Sequence, residues 1–319
     1  MIRRLTLAAA VFLFSTLAGA QAYPAKPITL IVPFAAGGPS DAHMRKFAVV
    51  MGKQLDQSII VENIGGSAGN IGAARAAKAT ADGYTILQHN LSFATAPALY
   101  RNPGFNPLSD FDYIGILTFD PSLLMARIDF PTSSFNEFIA YLKAHQTKVT
   151  IGTSGPSHLA ALLLMEATGT KLTVVPYKGG GPALKDLIGR HIDLVSNSAS
   201  LVGPLIRGGK VKPIGVTGKK RVAHLPEIPT LDEQGLSGFE MVVWTSLFAP
   251  KGLPRPVLAR LVAGLQGSLT DPDMLEYSAK TGGQLATREQ ATPAGLQALV
   301  KADVEKWGSI LRRAGVQPE

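Results

Sequence analysis

Short apolar, β-branched runs alternate along the chain with stretches in which apolar positions recur at helical spacing. "ITLIV" at 28–32 is followed by such a stretch at 42–55, "SIIVEN" at 58–63 by another at 69–79, and "YTILQ" comes next at 84–88. This alternation predicts βαβ units. Two extended runs follow, "DYIGILTF" (112–119) and "SLLMARI" (122–128), interrupted by Asp120-Pro121. The rhythm then restarts, predicting helix 134–145, strand 149–152, helix 157–168, strand 173–177, helix 182–189 and strand 192–196. A second long extended stretch, "FEMVVWTSLFAPKGLP" at 239–254, precedes three final helical patterns. Two long strands bracketing a middle α/β layer predict an α/β protein of two lobes joined by a two-strand hinge. Residues 23–120 and 248–319 are expected in lobe 1, and 121–247 in lobe 2.

The strand-to-helix corners repeat a motif. "AGGPSD" (36–41) follows the first strand, "TSGPSH" (153–158) follows the strand at 149–152, and "GGGPAL" (179–184) follows "LTVVPY". In a parallel sheet such a corner points into the crevice, where the first N–H groups of the helix lack partners. Gly37 and Gly38 allow close backbone approach, Pro39 presets the first-turn φ without wasting an N–H, and Ser40 adds a hydroxyl. Gly155, Pro156 and Ser157 repeat the arrangement. Two such N-termini can grip a carboxylate without an arginine. Ordinary helix capping, with Asp41 complementing the dipole, is the competing account of either corner alone.

Composition narrows the function classes. With 319 residues, 46% hydrophobic and 17% charged, the chain can build a large core and has the length of two domains. Its 33 glycines and 22 prolines suit many short βα connections. The first residues place Arg3 and Arg4 before an apolar stretch from Leu5 to Leu17 and small residues at Ala18 and Ala20. This reads as a secretory signal peptide over 1–22, cleaved after Ala20 or Ala22 and excluded from the fold. There is no cysteine, so core packing alone must hold the exported protein together. The formal charge of +8 comes from scattered basic residues. The densest cluster, Lys210, Lys212, Lys219, Lys220 and Arg221, lacks interleaved aromatics and predicts a solvated surface rather than a nucleic-acid site.

Catalytic and cofactor motifs are mostly absent. "GTSGP" at 152–156 places Ser154 on a strand-to-helix turn with His191 and His224 downstream, so the alternative to a binding protein is a secreted α/β serine hydrolase using Ser154. Against it, position 156 is Pro where the nucleophile elbow needs Gly. No glycine corner ends in Gly-Lys-Ser/Thr, which removes a P-loop. His43, His89, His145, His158, His191 and His224 are too widely separated to form a close-spaced metal-ligand pair. No cofactor is expected.

"YPAKPITLIVPFAAGGPSD", "IIVENIGGSAGNIGA", "ADGYTIL", "VPYKGGGPALKDLIG", "IRGGKVKPIGVTGKKRVAHLPEIPTLDEQGLSGFE" and "WTSLFAPKGLP", in this order, resemble the periplasmic receptors of tripartite tricarboxylate transporters, the Bug family. The resemblance covers nearly the whole mature chain. It implies a type II periplasmic-binding-protein fold whose lobes close over a small carboxylated ligand held by two strand-to-helix loops and ordered water. Carried over, the first loop offers Phe34, Ala36, Gly37, Gly38, Ser40 and Asp41, and the second Thr153, Ser154, Gly155, Ser157 and His158. Thr95, Tyr177, Lys178, Gly179 and Asn197 complete the expected ligand-binding set. The resemblance also implies a periplasmic location, a membrane transporter as partner, a monomer and no enzymatic activity. Two features depart from the family pattern. The second loop, "GTSGPSHL", is abbreviated, and Ser196-Asn197-Ser198 stands where many relatives read Phe-Asp-Asn. Loss of that carboxylate removes a partner for a ligand ammonium, so a plain organic acid is expected over an amino acid.

Overall fold

The computed structural model describes residues 23–154, 156–177, 180–281 and 283–318. The expected signal peptide lies outside them. The chain opens with β1 (Ile28–Val32), α1 (Pro39–Leu55), β2 (Ile59–Asn63), α2 (Asn70–Ala77), β3 (Thr85–Asn90) and α3 (Ser92–Leu99), and then enters the long strand β4 (Phe111–Arg127). Next come α4 (Phe135–Ala144), β5 (Thr150–Thr153), α5 (Ser157–Thr168), β6 (Thr173–Pro176), α6 (Gly180–Ile188), β7 (Leu194–Ser198), α7 (Ala199–Arg207) and β8 (Val211–Val216). The chain returns through β9 (Val242–Pro250) and finishes with α8 (Arg255–Leu269), α9 (Pro272–Thr281), β10 (Gln284–Leu285) and α10 (Pro293–Arg313).

The expected α/β alternation is present, and α3, α7, β8 and β10 are added to it. "SFATAPAL" carries Pro97 inside an apolar stretch with no polar face, so its helix is legible only from the burial of Phe93, Ala94, Thr95 and Ala96. The strands form one mixed sheet in the order β2-β1-β3-β9-β4-β7-β5-β6, with β8 and β10 also paired to β4. In lobe 1, β1 lies parallel to β2 and β3, while β9 runs antiparallel between β3 and β4. In lobe 2, β5 lies parallel to β6 and β7, while β7 and β8 run antiparallel to β4.

β4 is the backbone shared by both lobes. Phe111–Pro121 pairs with β9, and Ser122–Arg127 pairs with β7 and β8. Asp120-Pro121, expected to interrupt the strand, instead marks the point where the strand changes partners. A proline cannot donate to a ladder, and a change of neighbours is a place where the missing N–H costs little. β9 belongs to lobe 1, where its whole length pairs with β3 and β4. The expected second boundary, 247/248, lies within β9. The two crossings are stitched together by the buried Thr217. Its N–H donates to Ser122 O at 2.8 Å, Met241 N–H donates to its carbonyl at 2.8 Å, and its hydroxyl donates to Met241 O at 2.7 Å.

The core also crosses the junction. α10 packs on β4 and α3, burying Leu296, Val300 and Trp307, and its last turns reach α5 of lobe 2. There Arg313 Nε meets Glu166 Oε1 at 2.8 Å, and Ile310 and Leu311 are buried in one apolar cluster with Leu159 and Leu162. A second cluster, including Leu123, Met125, Leu187, Val195, Val202 and Val216, belongs to lobe 2 alone. Each large side chain so buried contributes about 1.5–3 kcal/mol, and in a sequence without cysteine this packing takes the place of disulfides.

Candidate functional site

The strand registers bring the helix-entry corners of both lobes to one place. Asn90, the last residue of β3, pairs with Thr245, which pairs in turn with Thr118 of β4. On the other side Ser198, the last residue of β7, pairs with Ser122 of β4. β1, β2 and β3 run in the direction of β4, whereas β5, β6 and β7 run against it. Their carboxyl ends therefore converge from opposite sides on the span 118–122 of β4, about 13 Å long at roughly 3.3 Å per residue. This is the crevice in which α/β sheets bind ligands, and the helix that follows β1 contributes Ser40 and His43 to it.

The first corner is held from within. Gly37 adopts φ +76°, a left-handed conformation that favours glycine, whereas Gly38 is extended (φ −81°, ψ 170°) and caps α1. A Cβ on Gly38 would lie 3.2 Å from Ala35 O, so this position is close-packed but not strained in φ. Asp41 Oδ2 accepts the Gly37 N–H at 2.9 Å and Arg45 Nε at 3.0 Å, and its Oδ1 pairs with Arg45 at 3.0 Å. Arg45 continues to Asn63 Oδ1 at 3.0 Å, and Asn63 donates to Phe34 O at 3.2 Å. The Arg45 guanidinium, followed by the Gly37 amide, lowers the Asp41 pKa to about 2. Both oxygens of Asp41 are thus engaged within the corner, which they hold in shape. Phe34 packs edge-on against buried His89, Ala36 and Gly37 are exposed at the tip, and Pro39 at the start of the helix leaves the Ser40 and Asp41 N–H groups as the open donors of the first turn.

The second corner uses its serines on itself. Ser157 Oγ accepts the Ser154 N–H at 2.7 Å and donates to Ser154 O at 3.0 Å, so the hydroxyl closes the turn. Thr153 is buried, and His158 is partly buried with its pKa lowered by desolvation. Gly155, Lys178 and Gly179 lie outside the described residues. Tyr177 donates its hydroxyl to Asp186 Oδ2 at 2.6 Å, and that hydrogen bond pushes its pKa up to about 12. Asn197 Oδ1 accepts the Ser198 N–H at 2.8 Å, and its buried Nδ2 abuts the entry to α6, where a Cβ on Gly180 would be only 2.4 Å away. Thr95 is buried within α3, donating to Ser92 O at 3.3 Å.

A cavity of about 280 Å³ at the junction includes residues from both lobes. Of the expected ligand-binding residues it contains Ser40, and it adds Asn90, Thr118, Asp120, Ser198 and Thr245. Asp120 was legible as a signal, an acidic residue inside an apolar strand run, although its position in the cavity depends on long-range pairing. A larger, shallow groove of about 830 Å³, lined by Ile71, Arg75 and Asn102, lies on lobe 1 alone. No group of three or more His, Cys, Asp or Glu that could hold a metal occurs among the described residues. Nor is any described helix long and apolar enough to cross a membrane.

Residues 43–316 match the tripartite tricarboxylate transporter family receptor. The chain belongs to this receptor family. The receptor is 42% identical over 298 residues to the UPF0065 protein in the TAR-I ttuE-ttuC' intergenic region of Agrobacterium vitis, a match covering 92% of this chain and 86% of that one. Among solved structures it is similar to the periplasmic binding protein BugD, with 41% identity, a TM-score of 0.80 and coverage of 93% of this chain and 100% of that one. It is also similar to MatC from Rhodopseudomonas palustris, solved with bound malate, with 34% identity, a TM-score of 0.78 and coverage of 91% and 100%. A further R. palustris protein, solved with adipate, has 29% identity, a TM-score of 0.80 and coverage of 93% and 100%. The expected periplasmic-binding-protein fold is thus the fold of the receptor, and the family is one of solute receptors rather than enzymes. The hydrolase alternative has no support here. Ser154 meets Ser157 Oγ only through its backbone N–H and carbonyl, among the described residues no hydrogen bond joins it to a histidine, His191 is exposed, and His224 Nε2 lies 3.3 Å from Ala199 O. Ser154 also lacks the positive φ of a strained elbow.

Proposed function

We propose that the receptor takes up a small carboxylated organic acid between its lobes, in the periplasm, and delivers it as a monomer to the membrane components of a tripartite tricarboxylate-type transporter. The observation that carries this reading is the convergence of the strand ends and helix N-termini of both lobes on residues 118–122 of β4. Backbone N–H groups at the start of α1 and α5 supply the positive potential for a carboxylate, with ordered water completing the contacts. No Lys or Arg lines the cavity among the described residues, which suits recognition by dipoles rather than by an ion pair. Malate and adipate in the similar proteins support a small aliphatic acid as ligand. Residues 1–22 act as the export signal, and the bodies that close are 23–121 with 242 onward, against 122–241.

The test is a melting-temperature screen of the purified mature protein against organic acids, followed by calorimetric titration and recovery of the bound acid. A ligand that binds only the folded state raises the melting temperature by mass action. A stoichiometric, chemically unchanged acid is expected. No stabilisation by any acid, or turnover of esters lost on Ser154→Ala, would overturn the reading.

A further inference from the structure

Asp120 lies midway between the two sets of strand ends, on the same face of β4 as Thr118, and both residues line the junction cavity. Its carboxylate accepts from Ser198 Oγ at 2.9 and 2.7 Å, and among the described residues Ser198 is its one hydrogen-bond donor. An ionised carboxylate has about four acceptor sites, so most of its capacity stays open toward the cavity. Other lining groups are short of partners as well. Gln88, 1% exposed, has an amide oxygen with no hydrogen bond, and partly buried His43 has an unpartnered Nε2. Desolvation raises the pKa of Asp120 to about 6 against the opposing effects of Ser198 and, more distantly, His224, as expected for an acid short of donors.

A buried carboxylate lacking donors is costly in an empty pocket, and a ligand that brings a donor relieves that cost. We propose that Asp120 reads a hydrogen-bond donor on the carbon skeleton of the ligand, so that the receptor selects a hydroxy or amino acid over the corresponding plain acid. The expectation of a plain acid rested on the missing carboxylate in Ser196-Asn197-Ser198. The fold supplies one from the neighbouring strand, because the Ser122–Ser198 register brings Asp120 within reach of the Ser198 hydroxyl. Hydroxyl and ammonium share this chemistry, and the assay separates them.

This inference rests on the carboxylate-receptor reading. The assay is calorimetric titration of the mature protein at pH 7.5 with three matched sets: propionate, lactate and alanine; succinate, malate and aspartate; glutarate, 2-hydroxyglutarate and glutamate. In the set that binds, a donor-bearing acid is expected to bind about tenfold or more tightly than its plain parent, and Asp120→Asn to reduce that ratio by about tenfold, the worth of one charge-assisted hydrogen bond. Preference for the hydroxy or the amino member identifies the donor. A plain parent that binds wild type as tightly as both derivatives overturns the inference without recourse to any variant. So does a ratio that survives in an Asp120→Asn protein with the circular dichroism of wild type. If no acid in any set binds, the receptor reading itself fails and this inference falls with it.

Discussion

The carboxylate of Asp41 accepts the backbone N–H of Gly37 at 2.9 Å and so fixes the first corner from inside the helix that follows it. The side chain stands at the third helical position and reaches back to the residue before the cap, satisfying a loop donor while its charge complements the α1 dipole. Asp41→Ala is expected to lower the melting temperature by a few degrees and to weaken acid binding through a loosened loop. Because the folded pKa is depressed to about 2, the stabilisation is complete above the unfolded value near 4 and is lost as pH falls from about 4 to 2. Thermal melts of wild type and variant across that range should converge at the acid end. Curves that stay parallel would remove Asp41 from this role.

Asp120 has the opposite sign. Burial raises its folded pKa to about 6, so the folded state holds the proton more tightly than the unfolded one. Stability of the empty protein should therefore fall as pH rises from about 4 to 6, by up to about 3 kcal/mol at roughly 1.4 kcal/mol per unit. His43 of α1, His224 of the segment after β8 and Tyr277 of α9 are the other titratable groups near this carboxylate, so the assignment is read from the difference between wild type and Asp120→Asn. By urea denaturation the variant is expected to be more stable than wild type at pH 7.5, with the difference shrinking steadily as pH falls to about 4.

Ser40 and Ser157 should separate, although both belong to the same Gly-Pro-Ser motif. Ser157 Oγ is engaged by both the N–H and the carbonyl of Ser154, so Ser157→Ala should cost about 1 kcal/mol of folding stability. Ser40 lines the junction cavity, so Ser40→Ala should weaken binding by about 0.5–1.5 kcal/mol while leaving the melting temperature of the empty protein nearly unchanged. Paired melting and titration measurements distinguish the two, and identical behaviour would count against the different roles.

Thr217 joins the two crossings between lobes. Thr217→Val removes the hydroxyl that accepts from Ser122 N–H at 3.1 Å and donates to Met241 O at 2.7 Å, leaving buried backbone groups unpaired. A loss of about 2–4 kcal/mol is expected from denaturant titration. A loss under 0.5 kcal/mol would show that water replaces the hydroxyl.

Lobe closure should be visible in tryptophan emission. The only tryptophans, Trp244 and Trp307, line a cavity of about 380 Å³ on the other face of β4, shared with Lys219, Lys220 and Glu240 of lobe 2. Closing the crevice about a few residues at the junction alters this cavity, so a bound acid should shift the emission and reduce the radius of gyration. Unchanged emission and radius at saturation would indicate that binding does not move the lobes.

The alternation of apolar runs and helical stretches determined the α/β class, the order of most elements and the positions of the strand-to-helix corners, because these depend on spacing within ten or twenty residues. Pro39 likewise marks a helix start that the structure keeps. Family membership was also legible, from the order of motifs along the chain. Tertiary structure decided which polar groups remain open to a ligand. Asp41 and Ser157 look alike in sequence as capping or binding residues, yet their own corners occupy them. Asp120, which looked like a break between two strands, became a cavity residue when pairing with β9 and β7 carried β4 straight through Pro121. The physical reason is that a side chain's remaining hydrogen-bonding capacity depends on partners distant in sequence. Thr245 lies 125 residues beyond Asp120 and Ser198 lies 78 beyond it, and only strand register brings them to one junction.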